Sequence, residues 1–194
     1  MKIDQKTTSP AQRTRARQDL SSLLRSRVDA PPPCAANCPD AFGPRCSRSC
    51  PEVPRRLSSD PEGHPLDPLI APLVYEVRRL KVFQPCWSCE GHNGPDGSLW
   101  KVPRVWFYCD SMTHVRALAG AIRQMELDRR LHASWQVVLV SLDQKSPDCC
   151  FSLEPAGLAP TVSLQELQAD VTVIAASLHD LVVQIADDLK WRVG

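Results

Sequence analysis

Pro85-Cys86-Trp87-Ser88-Cys89-Glu90-Gly91-His92 is the stretch on which the reading of the fold turns. Cys86-x2-Cys89-x2-His92 offers two thiolates and an imidazole at spacings that one tight turn can present to one ion. Those are ligand types that zinc and iron–sulfur chemistry select. Asn93-Gly94-Pro95-Asp96-Gly97 follows directly and is a strong turn signal. The segment therefore reads as a metal knuckle leading into a loop. Cys109, at the end of the strand expected next, completes a tetrahedral set of Cys86, Cys89, His92 and Cys109.

The chain holds nine cysteines, and seven lie between Cys34 and Cys109. Upstream of the knuckle stand two Cys-x3-Cys pairs, Cys34/Cys38 and Cys46/Cys50, which form a candidate second closed site. Cys38 and Cys50 each precede proline, as the last ligand of bacterial ferredoxin runs does, so an iron–sulfur cluster is the alternative to Zn2+. The Cys-x2-Cys-x2-Cys run of those ferredoxins is absent, which favours zinc. Cys149 and Cys150 are adjacent and read as strand neighbours, one facing each way.

Outward from the knuckle, the sequence divides into three parts. Residues 1–30 form a basic arm, disordered or marginally helical, with Ser9-Pro10 as a helix start and Leu20, Leu23, Leu24 and Val28 as a thin apolar stripe that needs a partner. Residues 31–66 are rich in proline and cysteine and hold too little apolar side chain to fold unaided. Residues 67–194 read as an α+β domain. Asp67-Pro68 caps a helix running to about Lys81, and Arg104–Cys109 is a strand. Ser111 or Thr113 caps a helix to about Arg130, Trp135–Leu142 is a buried strand, and Cys149–Leu153 is its hairpin partner. In the long helix 163–190, Leu164, Leu167, Val171, Ile174, Leu178, Leu181 and Ile185 form a heptad seam. The expected fold is a small antiparallel or mixed sheet of about three strands with helices packed on it.

Charge and composition narrow the functional classes. Residues 1–60 carry eleven Lys/Arg against six Asp/Glu, while the rest carries twelve against sixteen, so a net charge of +1 conceals a basic first third. The arginines there permit a weak nucleic-acid contact. No apolar leader opens the chain and no run of about 18 apolar residues occurs, so the expected setting is a reducing cytoplasm with no membrane span.

Enzyme signatures are missing. Pro85-Cys86-x2-Cys89 matches half of the zinc-deaminase signature, but the His-x-Glu half has no counterpart because His64 precedes Pro65-Leu66. Gly91 and a turn follow Cys89 where a dithiol catalyst needs a helix. Nothing in the sequence orients Cys109 toward His114 or His132 as nucleophile and base. No phosphate loop, His-Glu-x-x-His or Gly-x-Ser-x-Gly is present. The sequence thus points to a non-catalytic, metal-stapled interaction or regulatory module, with the 163–190 helix as its surface for a partner or for self-association.

Overall fold

The computed structural model describes residues 8–25, 47–140, 148–157 and 161–192. Cys34, Cys38 and Cys46 lie outside the described residues, as does most of the 31–66 segment's first half.

The strands alternate apolar and polar residues, and the ladder converts this into two unlike faces. β1 (Gln84–Asn93), β2 (Leu99–Tyr108), β3 (Ser134–Val140) and β4 (Cys150–Ala156) form one sheet in the order β1-β2-β4-β3, every pair antiparallel. At its centre Val105 faces Leu153 and Phe107 faces Phe151, all four buried. Phe107 stacks on Phe151 at 6.0 Å and meets Phe83 edge-on at 5.2 Å. The opposite face carries Arg104, Trp106 and Tyr108 of β2 with Ser152 and Glu154 of β4, and the Trp87–Trp106 pair at 4.7 Å.

The sheet has four strands where three were expected, because the supposed knuckle is β1. Its backbone pairs with β2 over most of its length, which satisfies N–H and C=O groups that a metal-wrapped turn would leave to other partners. The Asn93–Gly97 signal is the hairpin between them, closed by Gly94 N–H to Ser98 O at 2.7 Å, with Gly97 at φ +80°.

Helices cover the apolar face. α3 (Ala71–Arg79) packs on β1, α4 (Met112–Leu127) on β3, and α5 (Leu164–Arg192) on β1 and β2 as well as on both those helices. α1 (Pro10–Arg25) lies against α4 and α5, and its Leu20 and Leu23 enter the core, so the marginal helix finds the partner it needs. A short α2 (Val53–Arg56) joins α3 through a satellite cluster of Val53, Ala71 and Tyr75. The caps are local and legible. Ser9 and Gln12 form a capping box on α1, Ser163 and Glu166 another on α5, and Ser111 Oγ accepts from Thr113 N–H at 3.1 Å on α4.

The heptad residues Leu167, Val171, Ile174 and Leu178 are fully buried, together with Ala175, Val182, Val183 and Ala186. This seam is internal core, turned onto α1, α3, α4 and the sheet. The stretch Leu164–Lys190 is long enough and apolar enough on average to cross a membrane, though Asp170 and Asp180 interrupt it, and half of its most apolar window is buried inside the fold, as in a core helix.

One buried carboxylate pins this packing. Asp170 of α5, with no exposed surface, accepts hydrogen bonds from His132 N–H (2.8 Å), His132 Nδ1 (2.8 Å), Ala133 N–H (3.0 Å) and Trp135 Nε1 (3.0 Å). The bond that His132 Nδ1 donates to Asp170, with the carboxylate's negative charge, raises the His132 pKa above its ordinary value. Asp170→Ala strands the buried Trp135 Nε1–H and the part-buried His132 and Ala133 N–H groups, so unfolding in urea should show a loss of about 3 kcal/mol. Asp180→Ala, at a carboxylate 91% exposed on the same helix, should stay within about 0.5 kcal/mol.

Candidate metal centre

β1 is an edge strand, so half of its backbone groups have no ladder partner. At Glu90 that edge is occupied. Asp67 Oδ2 accepts Glu90 N–H at 3.2 Å, Glu90 Oε2 accepts Leu69 N–H at 3.0 Å, and Gln168 Nε2 of α5 donates to Glu90 O at 3.2 Å. The three contacts hold residues 67–69 along the strand and set the Asp67 carboxylate beside it.

This arrangement brings Asp67, Cys89 and His92 together, their ligand atoms all within 4.8 Å of one another. On a regular strand, residues three apart point to opposite faces. Gly91, at φ +84°, stands between Cys89 and His92 and breaks that alternation. No other residue fits there. A Cβ at Gly91 would lie 2.6 Å from Leu164 Cδ1, 2.9 Å from Pro103 Cδ and 3.0 Å from Lys101 O. The Gly91 N–H also donates to Cys89 Sγ at 3.4 Å, a contact that helps to fix the sulfur's position. Cys89 is buried, Asp67 half-buried and His92 exposed, so the group opens to solvent on the imidazole side.

Chemically the set is one sulfur, one nitrogen and one carboxylate oxygen, a combination zinc accepts. Tetrahedral bonds of about 2.0–2.3 Å place ligand atoms roughly 3.3–3.8 Å apart, so the side chains need to close by about an ångström. Three protein ligands leave one coordination position open.

The remaining expected ligands lie elsewhere. Cys86 is the unpaired residue of a β-bulge between Pro85 and Trp87, and its Sγ lies 3.9 Å from Cys150 Sγ. Burial, reinforced by Cys150, pushes the Cys86 thiol up to about 12. Cys109 is buried, its Sγ 3.5 Å from Ser111 O and 4.0 Å from His114 Nδ1. Cys50 is half-buried beside Val53, Ala71 and Tyr75. Among the described residues, no other group of three metal-ligating side chains converges.

The structure orients Cys109 and His114, which the sequence did not foresee. Asp19 O of α1 lies 2.8 Å from His114 Nε2, and as a carbonyl it only accepts, so Nε2 carries the proton and Nδ1 faces the thiol. His132 is bound to Asp170 instead. Burial drives the Cys109 thiol up to about 11, helped by the charges of Asp110 and Asp19 against the opposing contact with Ser111. A thiol so raised stays protonated near neutrality and is a poor nucleophile.

Asp67 is the candidate ligand that sequence reasoning missed, since Asp-Pro before an apolar run reads as a helix cap. Instead Ile70 occupies the N-cap of α3 and the Asp67 carboxylate turns to β1. The signal for this site was Gly91 between two ligand types, a residue with no place in a regular strand interior. No protein family, no curated protein and no solved structure matches the chain.

Folded Cys109 holds its proton past the ordinary thiol value of about 8.5. Its contribution to stability is therefore complete below about pH 8.5 and is lost as pH rises toward about 11. The urea midpoint should fall over that window, and Cys109→Ala should flatten the fall. An unchanged slope would remove Cys109 as its source.

Proposed function

We propose that the chain is a zinc-binding interaction module in which Asp67, Cys89 and His92 hold the ion. The convergence of these three side chains at the edge of β1 carries the reading. Bound there, zinc would cross-link the segment before α3 to β1, and its role is structural: it adds folding energy where the strand edge otherwise rests on a few hydrogen bonds. A reducing cytoplasm, in which Cys89 stays reduced and available as a ligand, is the setting this proposal requires. The buried ligand with its amide-supported sulfur supplies affinity, and the exposed imidazole leaves the fourth position to water or to a partner's side chain.

The iron–sulfur alternative has less support. Among the described residues no four cysteines meet, and Cys86, Cys89 and Cys109 each have different neighbours.

The test is calorimetric titration of zinc into metal-free chain under reducing conditions, with metal content measured on the purified protein. Cys89→Ser, His92→Ala and Asp67→Asn should each abolish one binding equivalent or weaken it by more than about tenfold. Cys86→Ser and Cys150→Ser should leave that equivalent in place. Zinc at about one hundred times its dissociation constant should raise stability by roughly 2.7 kcal/mol, and this gain should vanish in Cys89→Ser. An equivalent that survives Cys89→Ser, or falls equally with Cys86→Ser, would overturn the assignment.

A further inference from the structure

The two edges of the sheet are treated differently. At β1 the outward groups of Glu90 are taken by Asp67 and Gln168, and the strand is interrupted by a bulge at Cys86 and a glycine at 91. β3, at the other end of the sheet, reads Ser134-Trp135-Gln136-Val137-Val138-Leu139-Val140. It contains no charge, no proline and no glycine, the devices that normally blunt an exposed edge.

The register shows which groups this edge presents. Trp135 lies opposite Pro155, which has no N–H, and Trp135 N–H donates instead to Glu126 Oε1 at 2.7 Å. Trp135 therefore turns its backbone groups away from β4, and by the period of two so do Val137 and Leu139. Glu126 covers the first outward N–H. Among the described residues no strand pairs with Val137 or Leu139 on that side, and the Leu139 side chain is 68% exposed.

We propose that β3 is a self-association edge, pairing antiparallel with β3 of a second copy about a twofold axis to form a continuous eight-stranded sheet. A strand that meets itself sets each residue opposite its own kind or a near neighbour, so any charge on it tends to face a like charge. β3 has none to oppose. A twofold at Val138 sets Val137 opposite Leu139, the two residues whose outward N–H groups are open, and Gln136 opposite Val140, pairs of apolar or neutral side chains, while Trp135 keeps its bond to Glu126 outside the seam. Among the described residues each chain offers one open edge, since β1 is held at Glu90, and this limits the assembly to two copies. α4 packs over β3, so two α4 helices flank the seam on the same face and bring their exposed Met112 and Leu127 into that layer. A seam of one seven-residue strand per copy is small, and a dimer in the micromolar range is the matching affinity. This inference is independent of the metal.

Sedimentation of the full chain across a concentration series tests it, with amide exchange as a second readout. The expected result is a monomer–dimer equilibrium, with protection of the Val137 and Leu139 amides that rises with concentration. Leu139→Lys at an exposed position, and Val137→Pro at an outward N–H, should each raise the dissociation constant at least tenfold with far-UV circular dichroism unchanged. Val138→Pro removes an N–H turned toward β4 and should damage the fold itself, which confirms the register. A chain that stays monomeric at about 100 µM would overturn the proposal. So would a dimer indifferent to Leu139→Lys and Val137→Pro, or protection of Val137 and Leu139 that does not vary with concentration, which would mean the chain's own residues cover the edge.

Discussion

A sheet with one apolar face must bury it, and here α5 bears most of that burden. Val105, Phe107, Phe151 and Leu153 present a continuous apolar surface, and α5 packs on its β1 and β2 side while taking α1, α3 and α4 onto its own flanks. Burial of this area is the dominant favourable term, but it has no direction and would tolerate several placements of the helix. Asp170 removes that freedom. A carboxylate without solvent has to find donors, and the four it uses all lie within His132–Trp135. The helix is thereby registered against the start of β3, and β3 against β4.

Backbone groups at the sheet's margins present the second constraint. Each edge strand has unpaired N–H and C=O groups, and the chain deals with its two edges by opposite means. At β1 it uses side chains from distant parts of the sequence, Asp67 and Gln168, and the same arrangement gathers the metal-ligating group. At β3 one glutamate, Glu126, meets one N–H. The candidate metal centre and the candidate self-association edge are thus two consequences of one topology, β1-β2-β4-β3, which puts the first and third strands on the outside.

Much of the architecture was readable from local pattern. The caps at Ser9 and Ser111, the hairpin of β3 with β4, and the α+β class follow from side-chain chemistry within a few residues. The misreading of Cys86–His92 also has a physical cause. Cys-x2-Cys-x2-His suits a turn, but ten residues flanking a Gly-Pro-Asp-Gly turn equally suit a hairpin strand, and the ladder with β2 decided between them. Likewise the α5 heptads describe an apolar stripe without saying what covers it. The rest of the stripe, Ala175, Val182, Val183 and Ala186, is too broad for a two-helix seam and fits burial among several elements.

Sequence alone determined the quantities that depend on near neighbours: where helices begin, which strand faces are apolar, and that thiol and imidazole ligands cluster between 86 and 92. Tertiary structure alone decided which of those ligands meet. Cys86 and Cys89 are three residues apart yet have different neighbours: Cys86 Sγ meets Cys150, while Cys89 meets Asp67 and, across the positive-φ Gly91 that breaks the pleat, His92. Asp67 and Cys89 are 22 residues apart yet adjacent, because a strand edge needs its N–H groups satisfied and accepts them from any part of the chain that passes. Local pattern cannot carry that information, since the partner of an edge group is set by the path of the whole chain.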